Sequence, residues 1–211
     1  MTASQQRALA ELWPDYGVEY APQRLDLDQV FARSAPIVLE IGFGNGDSLV
    51  QLASEDESSD FLGIEVHDPG VGHCMIAARA AAVENLRVIS HDAIEVLENQ
   101  IAPAQLARIN LYFPDPWPKK RHHKRRIVQP AFLELCASRL KSKASLHIAT
   151  DWANYAEHID EVLADSPLFD CAERREHNGD RALSRPATKF ERRGLKKGHR
   201  IWDWRFSRID L

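Results

Sequence analysis

Ile37-Val38-Leu39-Glu40-Ile41-Gly42-Phe43-Gly44-Asn45-Gly46 is the stretch that decides the fold of this 211-residue chain. Its first five residues are almost continuously apolar, the pattern of a strand buried within a sheet. Gly42 ends the strand. Glycines at every second position then allow a tight turn and let the backbone approach a ligand closely. The G-x-G-x-G spacing differs from the G-x-G-x-x-G dinucleotide fingerprint and suits a nucleoside without a pyrophosphate at least as well. A glycine-rich turn with no ligand is the bland alternative. Glu40 is the exception inside the strand: a charge there needs a partner or a ligand with donors, and a cationic amino group is a reasonable candidate.

Working outward, the same alternation repeats. A helix opens over Ser48–Ala53, an acidic loop covers Glu55–Asp60, and Phe61–Val66 reads as a second strand. An alanine-rich helix over Met75–Val83 leads to a third strand, Leu86–Ile89, and a short helix from Asp92 to about Leu97. Ile109–Phe113 is the fourth strand, Val128–Leu140 a helix, Ala144–Ala149 the fifth strand and Trp152–Ala164 a helix. Phe169–Arg174 and Trp202–Ile209 form a candidate antiparallel pair. Strands alternating with helices imply βαβ units and a mostly parallel sheet. Residues 1–34 are polar, with scattered aromatics, and read as a loosely held arm, or one packed by those aromatics, before a single domain over 35–211.

In such sheets ligands collect outside the carboxyl ends of the strands. Gly42, Glu65, Asp92, Asp115 and Asp151 all fall at or just past a strand end. Glu65 stands where an acid can accept hydrogen bonds from ribose hydroxyls. Asp92 could accept from an adenine amino group or simply cap the next helix. The same capping alternative holds for Asp151.

The loop after the fourth strand carries the second signal. Pro114-Asp115-Pro116-Trp117-Pro118 is a stiff, exposed turn that cannot continue a ladder or a helix. Behind it, Lys119-Lys120-Arg121-His122-His123-Lys124-Arg125-Arg126 holds six Lys or Arg and two His. An aromatic beside a basic run offers nucleic acid a stacking surface and phosphate neutralisation. A solvated basic face is the alternative reading. Trp117 either stacks on a base or braces the loop, and the flanking prolines favour bracing. His122-His123 has no third ligand at fitting spacing, so no metal is expected.

Composition agrees. With 44% hydrophobic and 27% charged residues the chain has the balance of a soluble globular protein. No apolar run reaches the length of a membrane span, and Met1–Leu12 lacks the core of a signal peptide. Three scattered cysteines without a CxxC fit a reducing cytoplasm. The net charge of −4 hides an asymmetry: −12 over residues 1–118 against +8 over 119–211. A basic second half on an acidic protein points to a polyanion on one face.

Taken together, several blocks resemble one family. They are Glu40–Gly46, Gly63–His67 with Pro69–Gly72, Pro114–Lys119 with Arg121, His122 and Lys124–Arg126, Thr150-Asp151-Trp152, and Thr188–Gly194. Over roughly residues 12–208 the chain resembles the bacterial tRNA (guanine-N7-)-methyltransferases. The Pro-Asp-Pro-Trp-Pro and Thr-Lys-Phe-Glu blocks are the specific ones. The resemblance implies an α/β, Rossmann-like class I methyltransferase: a mostly parallel seven-stranded sheet, helices on both faces and an antiparallel C-terminal strand. It implies S-adenosylmethionine as cofactor and tRNA as partner, with methyl transfer to guanine N7 in the variable loop. Glu40, the glycines at 42, 44 and 46, Glu65, Asp92 and Asp115 would then form the cofactor site, with Asp115 central to catalysis. Lys119, Asp151, Thr188, Lys189, Phe190 and Glu191 would contact the guanosine. Arg121, His122, His123, Lys124, Arg125 and Arg126 would meet RNA backbone. Thr188 with Glu191 also fits a capping box, and both roles could coexist. A monomer is expected in preference to a homodimer.

Two other classes share parts of this pattern. A nicotinamide-dependent oxidoreductase would use the glycine turn but not the basic block. A non-catalytic RNA-binding protein would use the basic half and leave the rim acids idle.

Overall fold

The computed structural model describes residues 1–179 and 185–210. Ile37–Ile41 (β1), Asp60–Glu65 (β2), Leu86–Ser90 (β3), Leu106–Tyr112 (β4), Leu140–Thr150 (β5), Phe169–His177 (β6) and Ile201–Arg208 (β7) form one sheet. Their order is β3-β2-β1-β4-β5-β7-β6. β1 to β5 pair in parallel, and β7 lies antiparallel between β5 and β6. The mostly parallel sheet with a final antiparallel element is therefore as expected.

β1 is central because every one of its five residues is buried. The side chains alternate. Val38 packs with Leu49 of helix α4 (Asp47–Glu55) and with Val71 and Met75 of α5 (Asp68–Ala80). Leu39 and Ile41 pack the other way, onto α6 (Ala93–Asn99), α7 (Pro130–Arg139) and α8 (Ala153–Ala164). Full burial of each such side chain contributes about 1.5–3 kcal/mol, which fixes which face each residue takes.

Two differences from the expectation are instructive. The helix expected from Met75 begins seven residues earlier, at Asp68. Pro69 and Gly70 read as breakers, yet proline is compatible with a first turn. Gly70 is required there for contact: a Cβ would lie 2.1 Å from the carbonyl oxygen of Gly44. The glycine turn and the start of α5 thus touch backbone to backbone.

The second difference concerns residues 1–34, which are packed in place. Helix α1 (Ala3–Glu11) starts with a capping box between Thr2 and Gln5, and the Gln5 side chain donates to the Pro69 carbonyl at 3.0 Å. Short helices α2 (Trp13–Tyr16) and α3 (Leu27–Phe31) follow. Val18 N–H donates to Val88 at 2.8 Å, so the segment runs along the β3 edge. Tyr20 stacks on His91 with ring centroids 3.6 Å apart. The aromatics do part of this packing, as the sequence suggests, and the rest is backbone hydrogen bonding, which sparse hydrophobic patterning does not announce. Among the described residues, no helix is long and apolar enough to cross a membrane.

Candidate active site

The strand order reverses direction between β1 and β4, and a ligand crevice belongs at their carboxyl ends. A cleft of about 420 Å³ opens there. Gly42, Gly44, Glu65, Asp92 and Asp115 line it together with Val66, His91, Trp117, Arg125 and Phe190. Four strand ends far apart in sequence therefore share one cavity.

Each wall has a local cause. The glycine turn has left-handed backbone at residues 42, 44 and 46, with φ of 67°, 61° and 80°. At Gly46 the constraint is double, since a Cβ would also lie 2.4 Å from Cys74 Sγ on α5. Glu65 holds the turn to its own strand end. It accepts from Gly44 N–H at 2.8 Å, and from Val66 and His67 N–H at 2.8 and 3.0 Å. Asp92 caps α6 by accepting from Ile94 and Glu95 N–H at 2.8 and 3.2 Å while remaining exposed on the cleft. For Asp92 the capping role and a place on the wall coexist.

Glu40 and Gly46 do not line the open cleft; both are buried beneath it. Glu40 faces Asn110 as its register partner on β4. Burial drives its carboxyl from 4.5 up to about 8, against smaller opposing effects of Asn110, Arg108 and Arg185. Its Oε2 has no hydrogen-bond partner among the described residues. A buried carboxyl with one oxygen unpartnered, beneath a glycine turn, fits a ligand that brings a cationic donor.

The loop after β4 is strained at two non-glycine residues, Phe113 and Trp117, with φ of 54° and 44°. Such conformations cost on the order of 1–3 kcal/mol each and persist where surrounding contacts impose them. Those contacts are present. Trp117 meets His122 edge-on at 5.7 Å, and the Arg125 guanidinium lies 4.9 Å from its ring centre. Trp117 therefore braces the loop and also forms part of the wall. Asp115, at the loop's crest, is exposed.

The basic run forms a 3-10 helix over Lys120–Arg125 and is not uniform. Lys119, Lys120, Arg121, Lys124 and Arg125 are exposed, while His122 and His123 are half-buried. Arg126 is buried and turns inward, which corrects its expected place among backbone-contacting residues. It donates to the Pro116 carbonyl at 2.9 Å and to Asn154 Oδ1 at 2.8 Å, pinning the loop to α8. Arg126→Ala should therefore lower stability by about 2 kcal/mol, since two acceptors are deprived of a charged donor. A Tm fall of roughly 4–8 °C with an unchanged salt slope of RNA binding is the expected pattern. A changed slope at constant Tm would contradict it.

The remaining expected contacts gather on the other side. Helix α9 (Lys189–Lys196) is capped by Thr188, whose hydroxyl accepts from Glu191 N–H at 3.1 Å. The capping box is only half made, because the Glu191 carboxylate pairs with Arg185 instead. Phe190 is half-exposed and points onto the cleft. Lys189 is exposed, and Lys119 and Asp151 lie outside the cleft lining. Asp151 is not a helix cap, since Trp152 holds that position for α8. Its Oδ2 lies 3.0 Å from His199 Nδ1 and against Gly194, where a Cβ would approach to 2.6 Å. Asp151 thus fastens the end of β5 to the turn between α9 and β7.

Sequence reasoning missed Arg185, Asp203, His147 and His177, which form a buried polar cluster beside this site. Asp203 carried a readable signal, a lone acid on the buried face of Ile201-Trp202-Asp203-Trp204. Arg185 carried none, lying outside any periodic element.

A parallel sheet in this order, with its glycine turn, rim acids and antiparallel last hairpin, defines a class I methyltransferase. The fold agrees with that of solved methyltransferases. The 16S rRNA methyltransferase KamB matches with a TM-score of 0.63 at 16% identity, over 88% of this chain and 93% of that one. A family model described as "Putative methyltransferase" covers residues 34–204. The chain is 52% identical over 217 residues to a tRNA (guanine-N(7)-)-methyltransferase of Shewanella woodyi, covering 100% of this chain and 88% of that protein. It is 54% identical over 214 residues to one of Photorhabdus laumondii, covering 99% and 87%. The chain belongs to the tRNA (guanine-N(7)-)-methyltransferase family.

Proposed function

We propose that this enzyme transfers the methyl group of S-adenosylmethionine to N7 of a guanine in the variable loop of tRNA. The observation that carries the reading is one cleft at the sheet's carboxyl edge. Acids suited to a nucleoside, Asp115 and Phe190 line it together, with Phe190 against the glycine turn at Gly44.

In this reading Glu65 accepts from ribose hydroxyls, Asp92 from the adenine amino group, and the turn at Gly42–Gly46 admits the methionyl part. Glu40 beneath the turn receives the ammonium. Bound S-adenosylmethionine supplies an electrophilic methyl group on a sulfonium. Guanine N7 has a lone pair and no proton to lose, so the protein's task is alignment. Asp115 on its braced loop accepts from the Watson–Crick edge of the base and offsets the positive charge that develops on it. Phe190 supplies a flat apolar surface beside exposed Lys189, with Lys119 and Asp151 at the rim of the guanosine site, while Thr188 and Glu191, buried at the start of α9, hold Phe190 in place. The base carries its new methyl away without any proton transfer by the enzyme.

Exposed Lys119, Lys120, Arg121, Lys124 and Arg125 meet phosphates, with His122 and His123 at the edge of that surface. Replacing Lys120, Arg121 and Lys124 together by alanine should flatten the dependence of log affinity on log salt, by about 0.7–0.9 for each phosphate left without its cation. Filter binding across a salt series checks this; an unchanged slope would reduce the run to a solvated face. The enzyme works as a cytoplasmic monomer, without a metal or a membrane partner. The function itself is tested by incubating the protein with labelled S-adenosylmethionine and an unmodified tRNA transcript, then mapping the label. Label on guanine N7 in the variable loop is expected; label elsewhere, or none, rejects the reading.

A further inference from the structure

The half of the sheet face beyond β1 is polar where a parallel core is normally apolar. Glu40, Asn110, His147 and Arg205 are register partners from β1 through β4 and β5 to β7. Arg185 closes over this face with its side chain 4% exposed. Its Nε and Nη2 donate to the two carboxylate oxygens of Asp203 on β7, at 2.6 and 2.8 Å. Its Nη1 donates to Glu191 Oε2 on α9 at 2.5 Å. The guanidinium carbon lies 5.3 and 5.4 Å from the ring centres of Tyr112 and Phe113. Asp203 is braced in turn by His177 at 2.9 Å, and Tyr112 Oη meets His147 Nδ1 at 3.0 Å.

One cation therefore joins three separate elements, and two of them lead directly into residues that line the cleft. Phe113 begins the strained loop that presents Asp115. Glu191 follows Phe190, which lines the same cleft against Gly44. We propose that Arg185 is a positioning residue for methyl transfer: it sets the separation of the Asp115 loop and the Phe190 helix, and so the pose of the purine between them. This rests on the methyl-transfer reading above. A lysine cannot replace it, because only a planar fork satisfies one carboxylate with two donors, a second with another, and stacks on two rings together. Burial alone would pull the guanidinium's proton affinity down, but Asp203 and Glu191 more than reverse this, so the charge is held.

The test compares Arg185→Lys, Arg185→Met and Asp203→Asn with the wild type. The readouts are single-turnover methyl transfer to tRNA, calorimetric affinity for S-adenosylmethionine, and Tm, with assays run well below each variant's Tm. The two Arg185 variants should fall about 100-fold in kcat, the cost of displacement on the order of 1 Å at a reacting pair. Cofactor affinity should fall far less than kcat, within about fivefold, because Glu65 and Asp92 are held by other contacts and Arg185 is the smallest of the influences on Glu40. Asp203→Asn keeps its shape and weakens one side of the clamp, so its kcat should fall about tenfold; it carries the test if Arg185→Met does not fold. A folded Arg185 variant with wild-type kcat overturns the proposal. So does cofactor affinity falling in step with kcat, since that is general loosening. Wild-type enzyme that fails to methylate tRNA bears on the function and not on Arg185.

Discussion

Glu40→Gln should raise thermal stability at pH 8.5 while weakening cofactor binding. The free carboxyl ionises near 4.5 in an unfolded chain and near 8 in this fold, because burial disfavours the charge. The folded state therefore holds a proton that the unfolded state gives up across that window. Below pH 4.5 the group is neutral in both states and carries no penalty. As pH rises toward 8 the unfolded chain gains, and above 8 the full penalty is in place. At 1.36 kcal/mol per pH unit between the two values the penalty is about 5 kcal/mol. Glutamine keeps the shape and removes the ionisation. Its Tm gain should be nearly absent at pH 4.5 and reach about 10–20 °C at pH 8.5. A gain that does not change with pH would refute the burial account. The same substitution removes the counter-charge for the cofactor's ammonium, so affinity should fall about 10- to 100-fold. Wild-type binding at pH 7 should release a proton from Glu40. Calorimetry in buffers of different ionisation enthalpy reads that release directly.

Asp115→Ala should lower the rate of methyl transfer by about 100- to 1000-fold, the effect of deleting one preorganised electrostatic contact. Cofactor affinity should change little, because Asp115 is exposed on the loop after β4, whereas Glu65 and Asp92 stand at the ends of β2 and β3. Its loop should survive the change, being held by contacts of Trp117, His122, Arg125 and Arg126. Asp115→Asn keeps one acceptor oxygen and removes the charge, so an intermediate rate separates orientation from charge compensation. Wild-type turnover in Asp115→Ala would remove this residue from the mechanism.

The parallel core and the rim were legible because their signals are local. β1 is apolar throughout but for Glu40, and its terminating glycines announce the turn; each later parallel strand on the rim ends on a marked residue. The start of α5 was hidden because Pro69 and Gly70 favour a turn until the carbonyl of Gly44 is placed against them. Arg126 could not be told from its exposed neighbours, since inward orientation depends on Pro116 and Asn154 being within reach. Arg185 was illegible for the same reason: its partners lie on β7 and α9, and pairing across such separations leaves no period in the sequence. Glu40 was the informative exception. Its breach of the apolar pattern was visible at once, and the structure shows its Oε2 unpartnered among the described residues.

A crystal structure of the enzyme with S-adenosylhomocysteine and an unmodified tRNA measures the central geometry most directly. The account predicts ribose at Glu65, adenine at Asp92, and the guanine between Asp115 and Phe190 with N7 turned toward the sulfur. The separation should leave room for one methyl group, with N7 and a transferable carbon at about 3–3.5 Å in the reactive complex. A guanine seated away from the Asp115 loop, or a cofactor outside the cleft at the ends of β1 and β4, would contradict it.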